Sequence, residues 1–103
     1  MRRILILGHT GYIGKFIYEF LNKKKSLKKI EIIGKSSKDI NFLNENSCFK
    51  LKKIINNQTV VIICTAIKST LGNNIKTYTL NNKIIENICK CLSLSSPKKV
   101  IYL

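Results

Sequence analysis

The sequence predicts an α/β protein: a parallel sheet wound with helices on both faces. Three observations lead there. Strand-like apolar runs alternate with helix-like stripes along all 103 residues. The first run passes directly into a glycine-spaced loop, Gly8 to Gly14. The strand-like runs are also apolar at consecutive positions rather than alternate ones, the pattern of strands covered on both sides.

Arg3–Leu7 is a continuous apolar run ending in glycine and reads as the first strand. Tyr12–Asn22 follows as a helix, with Ile13, Phe16, Ile17, Phe20 and Leu21 on one stripe. Lys29–Ile33 is a second strand closed by Gly34. Leu43–Asn57 reads as a helix whose inward face is Cys48, Leu51, Ile54 and Ile55, with Asn56-Asn57 ending it. Thr59–Cys64 is β-branched almost throughout and makes the clearest strand. A polar loop from Thr65 to Asn74 leads into a long helix with the stripe Tyr78, Asn81, Ile84, Ile85, Ile88 and Leu92, broken by Ser95-Ser96-Pro97. Lys99–Leu103 opens another strand, so the sheet is expected to stop with the strand ending at Leu103. Helices between successive strands imply parallel pairing through right-handed crossovers. Arg3–Leu7 should therefore be central, between Lys29–Ile33 and Thr59–Cys64, with Lys99–Leu103 outermost.

Length allows one small domain, and a 45% hydrophobic share is that of a globular chain. No apolar run approaches the roughly 20 residues that cross a bilayer. The basic, apolar start at Met1–Leu7 is too short for a signal peptide and runs into the glycine loop, so a cytoplasmic location is expected. The net charge of +14 raises the question of nucleic acid. The lysines are dispersed among many Ile and Asn, all with A/T-rich codons, and no nucleic-acid-binding motif accompanies them. The charge reads as a solvated surface, attractive to anionic ligands at most. Cys48, Cys64, Cys89 and Cys91 fit no zinc spacing and are expected to be buried, reduced thiols; no metal residues are assigned.

The loop Gly8-His9-Thr10-Gly11-Tyr12-Ile13-Gly14 carries the chemistry. A pyrophosphate needs a tight turn out of a strand, a backbone bare of Cβ, and a close-packed helix whose N-terminus faces the anion. Gly8, Gly11 and Gly14 meet those needs in that order. The loop resembles the Gly-Ala-Thr-Gly-Tyr/Phe-Ile-Gly segment of extended and atypical short-chain dehydrogenases, a superfamily of Rossmann-like doubly wound proteins that includes nucleotide-sugar epimerases, dehydratases and reductases. Asp39-Ile40 looks like that family's Asp-Val/Ile pair, which holds the adenine edge. Val60–Ala66 resembles its fourth-strand segment D-V-V-I-H-x-A, beside the cofactor ribose. Asn81 and the residues after it, through Lys98–Leu103, resemble N-x-x-x-T-x-N-L-L followed by K-K-V-V-Y-x-S-S. There are departures. His9 replaces a small residue, and reads as a loop filler or phosphate neighbour. Asn57-Gln58-Thr59 stands where an acidic residue is usual. The spacing from Gly34 to Asp39 leaves little room for the usual third strand, a shortening similar to the dTDP-4-dehydrorhamnose reductase branch.

The resemblance implies that residues 1–103 are an NAD(P)-binding domain lacking the catalytic and substrate-binding part. Its cofactor set is Gly8, His9, Thr10, Gly11, Tyr12, Ile13, Gly14, Lys35, Ser36, Asp39, Ile40, Cys64, Thr65, Ala66 and Asn81. About 20 positions beyond the loop, where a carboxylate would bind the ribose of NAD, stand Gly34-Lys35-Ser36-Ser37. A lysine and two hydroxyls there favour the 2′-phosphate of NADP(H) over NAD(H). No catalytic residue is assigned: Tyr12, Tyr18, Tyr78 and Tyr102 each lack the lysine four residues on that the family's Tyr-x-x-x-Lys acid/base pair requires. The expected function is the cofactor-binding part of an oxidoreductase, epimerase or dehydratase, inactive alone, whose full-length form would take a nucleotide-sugar. The alternatives are a non-catalytic NADP(H)-sensing module and, last, a basic nucleic-acid-binding protein.

Overall fold

A computed structural model describes residues 2–24, 29–65 and 75–103. The chain runs β1 (Arg3–Leu7), α1 (Tyr12–Lys24), β2 (Glu31–Lys35), α2 (Glu45–Cys48), a 3₁₀ turn (Phe49–Lys53), β3 (Thr59–Ile63), α3 (Ile75–Ser95) and β4 (Lys99–Tyr102). The strands form one parallel sheet in the order β2-β1-β3-β4, the order the sequence predicts. Register places Leu5 between Ile33 and Val61, and Ile6 between Gly34 and Ile62.

Paired residues share a face of a parallel sheet, so the register divides the core into two layers. On one face Leu5, Leu7, Val61 and Ile63 meet Leu51 and Ile55 of the 3₁₀ region and Ile84, Ile88, Cys91 and Leu92 of α3. On the other, α1 packs against β1 and β2, with Gly14 buried beneath it. The fold is therefore a doubly wound, Rossmann-like α/β sheet. Arg3 laces its lower end: Nε donates to Glu31 at 2.6 Å, and the guanidinium also donates to the carbonyl of Ile54.

Several sequence expectations need correction. β2 begins and ends two residues later than expected and runs through Gly34, which pairs with Ile6 instead of closing the strand. Lys29 sits in a left-handed turn (φ 51) before it. The helix expected over Leu43–Asn57 is a single α turn capped by Asn44, whose side chain accepts from the Ser47 amide at 3.0 Å, followed by the 3₁₀ turn. A 3₁₀ turn superposes positions three apart. Cys48, Leu51 and Ile54 thus line up on one side, the first two fully buried and Ile54 half-buried against the same core. Residues 36–58 contain no strand, in keeping with the shortened Gly34–Asp39 spacing.

The α1 stripe is split: Ile17 and Leu21 are half-buried, but Ile13, Phe16 and Phe20 turn outward because the close seat of α1 on the sheet is centred on Gly14. In α3 the inward stripe runs through Thr77, Ile84, Asn87, Ile88, Cys91 and Leu92, and Tyr78 is exposed. Cys48 and Cys91 are buried, Cys64 is half-buried and Cys89 is exposed; all four are free thiols, so burial holds for two of them.

Candidate functional site

The first turn of chain after β1 is forced by backbone packed on backbone. Gly8 has φ +90, and a Cβ there would lie 2.8 Å from the Thr65 amide nitrogen. Its own N–H donates to the carbonyl of Lys35 at 2.7 Å, so the loop is pinned between the ends of β2 and β3. A Cβ on Gly14 would overlap the Gly8 carbonyl. These two glycines are explained by the protein itself. Gly11 is not: a Cβ there would meet only the Gly8 carbonyl oxygen at 3.5 Å, an ordinary contact, and its φ is not left-handed. The bare Cα of Gly11 instead faces a cleft of about 380 Å³. Gly8, Thr10, Gly11, Tyr12, Ile13, Ser37, Cys64 and Thr65 line it. It opens at the C-terminal ends of the strands, at the N-terminus of α1, whose first amides have no intrahelical acceptor. In open α/β sheets this is the crevice where ligands bind.

The structure thus brings seven of the sequence-assigned residues to one cleft: Gly8, Thr10, Gly11, Tyr12, Ile13, Cys64 and Thr65. Gly14 lies buried behind it. His9 lies to one side, its ring against Tyr18 at 4.9 Å between centroids and over the Cα of Gly34, where a Cβ would collide with it. That contact is why β2 carries a glycine inside the strand. The buried Nδ1 of His9 has no hydrogen-bond partner. Lys35 ends β2 and gives its carbonyl to Gly8. Ser36 is buried, and its amide (2.8 Å) and hydroxyl (3.3 Å) both donate to Asp39 Oδ2. The Ser36 amide, more than any other group, holds the Asp39 carboxyl below its ordinary pKa. Ile40 is buried in the core, and Asn81 is half-buried on α3. Ala66 lies outside the described residues.

Of the two hydroxyls that the sequence offers after Lys35, Ser37 lines the cleft and Ser36 does not. Ser36 is turned inward by its bonds to Asp39, and its neighbour in the turn after β2 reaches the cleft. Burial pushes the Cys64 thiol above its ordinary pKa, so it meets the cleft as a neutral group. Among the described residues no group of His, Cys, Asp or Glu is arranged to hold a metal, and no helix is long and apolar enough to cross a membrane.

Strand order, crossover pattern and glycine loop together define a Rossmann-type α/β protein with its crevice at the carboxyl end of β1. The family model "NAD dependent epimerase/dehydratase family" matches residues 4–103, and the chain belongs to that family. No curated protein matches it. Among solved structures it is similar to a GDP-L-fucose synthetase from Naegleria fowleri, at 26% identity and TM-score 0.79 over 98% of this chain and 30% of that one. The same enzyme bound to NADP matches at 28% identity and TM-score 0.76, again over 98% and 30%. A dTDP-4-dehydrorhamnose reductase from Bacillus anthracis in complex with NADP matches at 20% identity and TM-score 0.77, over 96% and 35%, a likeness of fold. The chain thus spans about a third of the length of these proteins.

Proposed function

We propose that this chain is the cofactor-binding portion of a nucleotide-sugar reductase, epimerase or dehydratase, and that its cofactor is NADP(H). The observation that carries this reading is Gly11. Packing accounts for Gly8 and Gly14, whereas the missing side chain of Gly11 leaves room only for something in the cleft. An anion against the first amides of α1 is what that room suits. When bound, the nicotinamide would supply the hydride. The chain's own residues would hold the dinucleotide: Gly8, Thr10, Gly11, Tyr12 and Ile13 at the pyrophosphate, Cys64, Thr65 and Ala66 beside the nicotinamide ribose, Asp39 and Ile40 at the adenine. Lys35 and Ser37 would take the 2′-phosphate, Ser37 in place of the occupied hydroxyl of Ser36.

Tyr12, Tyr18 and Tyr78 have Phe16, Asn22 and Asn82 four positions on, so none of these three supplies a Tyr-x-x-x-Lys acid/base pair. The likeness to a GDP-L-fucose synthetase supports a nucleotide-sugar substrate, and the absence of a long apolar helix among the described residues is compatible with a cytoplasmic enzyme. Calorimetric titration tests the cofactor. NADPH should bind more tightly than NADH, and Lys35→Glu should erase the difference, a loss of about 1.5–3 kcal/mol for a charge-assisted contact. Equal affinities in the unaltered protein would remove Lys35 from the reading; no binding of either would remove the reading itself.

A further inference from the structure

Among the described residues, two buried side-chain polar atoms lack partners: His9 Nδ1 and Asn87 Oδ1. His9 belongs to the loop already described. Asn87 sits in the middle of α3, fully buried on the inward stripe between Ile84 and Ile88 on one side and Cys91 and Leu92 on the other. Its Nδ2 donates to the carbonyl of Phe42 at 3.0 Å, a link across 45 positions of sequence. Leucine would remove the unpaired Oδ1, but it would also take from the buried Phe42 carbonyl its N–H donor and leave it only Cys48 Sγ at 3.7 Å. The amide thus leaves its own Oδ1 unpaired, and its Nδ2 contact to Phe42 is what it supplies.

That contact holds one particular segment. From Ser36 to Phe42 the chain leaves β2, puts Ser37 into the cleft wall and returns to the core with Ile40 and Phe42. Its front half is closed on itself: the Asp39 and Ile40 amides donate to the Ser36 carbonyl, and Ser36 donates to Asp39. Those bonds shape the turn but do not attach it to the rest of the protein. Burial of Ile40 and Phe42 attaches it without direction, since apolar burial tolerates small shifts. The Asn87 bond adds direction, because a hydrogen bond tolerates little change of distance or angle. Cys48 Sγ reinforces the same carbonyl at 3.7 Å.

We propose that Asn87 is a positioning residue for the adenosine end of the cleft: it fixes the Ser36–Phe42 segment, and through it Ser37 and Asp39, in the form that receives the ligand. This rests on the proposed cofactor, so the experiment reads the two separately. The protein is titrated with 2′,5′-ADP, which reads the adenosine end, and with inorganic pyrophosphate, which reads the glycine loop, following amide shifts by NMR; thermal unfolding is measured alongside. The unaltered protein should bind both. Asn87→Leu should fold but unfold at a lower temperature, bind 2′,5′-ADP about tenfold more weakly through lost preorganisation, and bind pyrophosphate within about twofold of the original. Should the leucine variant not fold, Asn87→Gln, which keeps the amide but moves it by one carbon, should give the same split. Proportionate weakening of both ligands, or of neither, would overturn the proposal. An unaltered protein that binds pyrophosphate but not 2′,5′-ADP would overturn it too, and one that binds neither would overturn the cofactor reading beneath it.

Discussion

The two ends of the cleft are held by opposite means. At the glycine-loop end, Gly8 and Gly14 are required by backbone lying on backbone: Thr65 against one, the Gly8 carbonyl against the other. At the far end, the Gly34–Phe42 segment is shaped by side chains that come from distant places, the His9 ring over Gly34 and the Asn87 amide on the Phe42 carbonyl. Backbone contacts have nowhere to go when a side chain is added, whereas a side chain can turn aside. The first end should therefore answer substitution with large, uncompensated losses, and the second with smaller ones that a second substitution can reverse.

The largest effect is expected at Gly14. A methyl group there must displace the Gly8 carbonyl, which the loop cannot yield without losing its seat between β2 and β3. Gly14→Ala should cost on the order of 3–4 kcal/mol in denaturant unfolding, at the upper end for a single substitution. A loss below about 0.5 kcal/mol, the range of ordinary surface changes, would break the distinction between the two ends.

Next comes Gly34→Ala, which collides with the His9 ring rather than with backbone. Overpacking of this kind should cost about 1–3 kcal/mol. The same change in a His9→Ala background should cost far less, with a coupling energy above about 1 kcal/mol in a double-mutant cycle. Additive losses would mean that the strand, not the histidine, demands the glycine.

The contrast also explains what could be read from the sequence. The strand order, the parallel pairing and the loop follow from apolar runs, crossovers and a fixed glycine spacing, all of them local patterns. Gly34 misled the reading of β2 because its cause, His9, is 25 positions away in sequence and touches it only once β1 and β2 are paired. The helix over Leu43–Asn57 misled in the same way. Its apolar spacing suits an α-helix, yet the segment is wound tightly so that Cys48 and Leu51 reach one core under Phe42 and α3. Within the site, the glycine loop and the Ser36-Ser37 pair are local patterns, but which of the two hydroxyls faces the cleft depends on the bonds of Ser36 to Asp39.

A smaller effect tests the sealed core beneath the far end. Burial pushes the Cys48 thiol from 9.0 up to about 11, with Cys91 and Glu45 adding to the rise. A folded pKa above the unfolded one contributes stability that is complete below the unfolded value and lost as pH climbs toward the folded one. Stability should therefore hold up to about pH 9 and fall between 9 and 11 by an amount on the order of 1–3 kcal/mol, with a shallower fall in Cys48→Ala. Urea unfolding across that interval checks it, and an equal slope in the variant would show that Cys48 holds its proton equally well in the folded and unfolded chains.

The central claim is that the cleft is shaped for a ligand, and Gly11 is where it is most exposed to failure. The protein leaves ordinary room for a Cβ there, 3.5 Å from the Gly8 carbonyl oxygen. Gly11→Ala should consequently leave unfolding unchanged or raise stability by about 0.4–1 kcal/mol through the unfolded chain. Its affinity for NADPH, measured by calorimetry, should nevertheless fall by more than about tenfold, or about 1.4 kcal/mol. A variant as stable as the original that binds NADPH equally well would contradict the account.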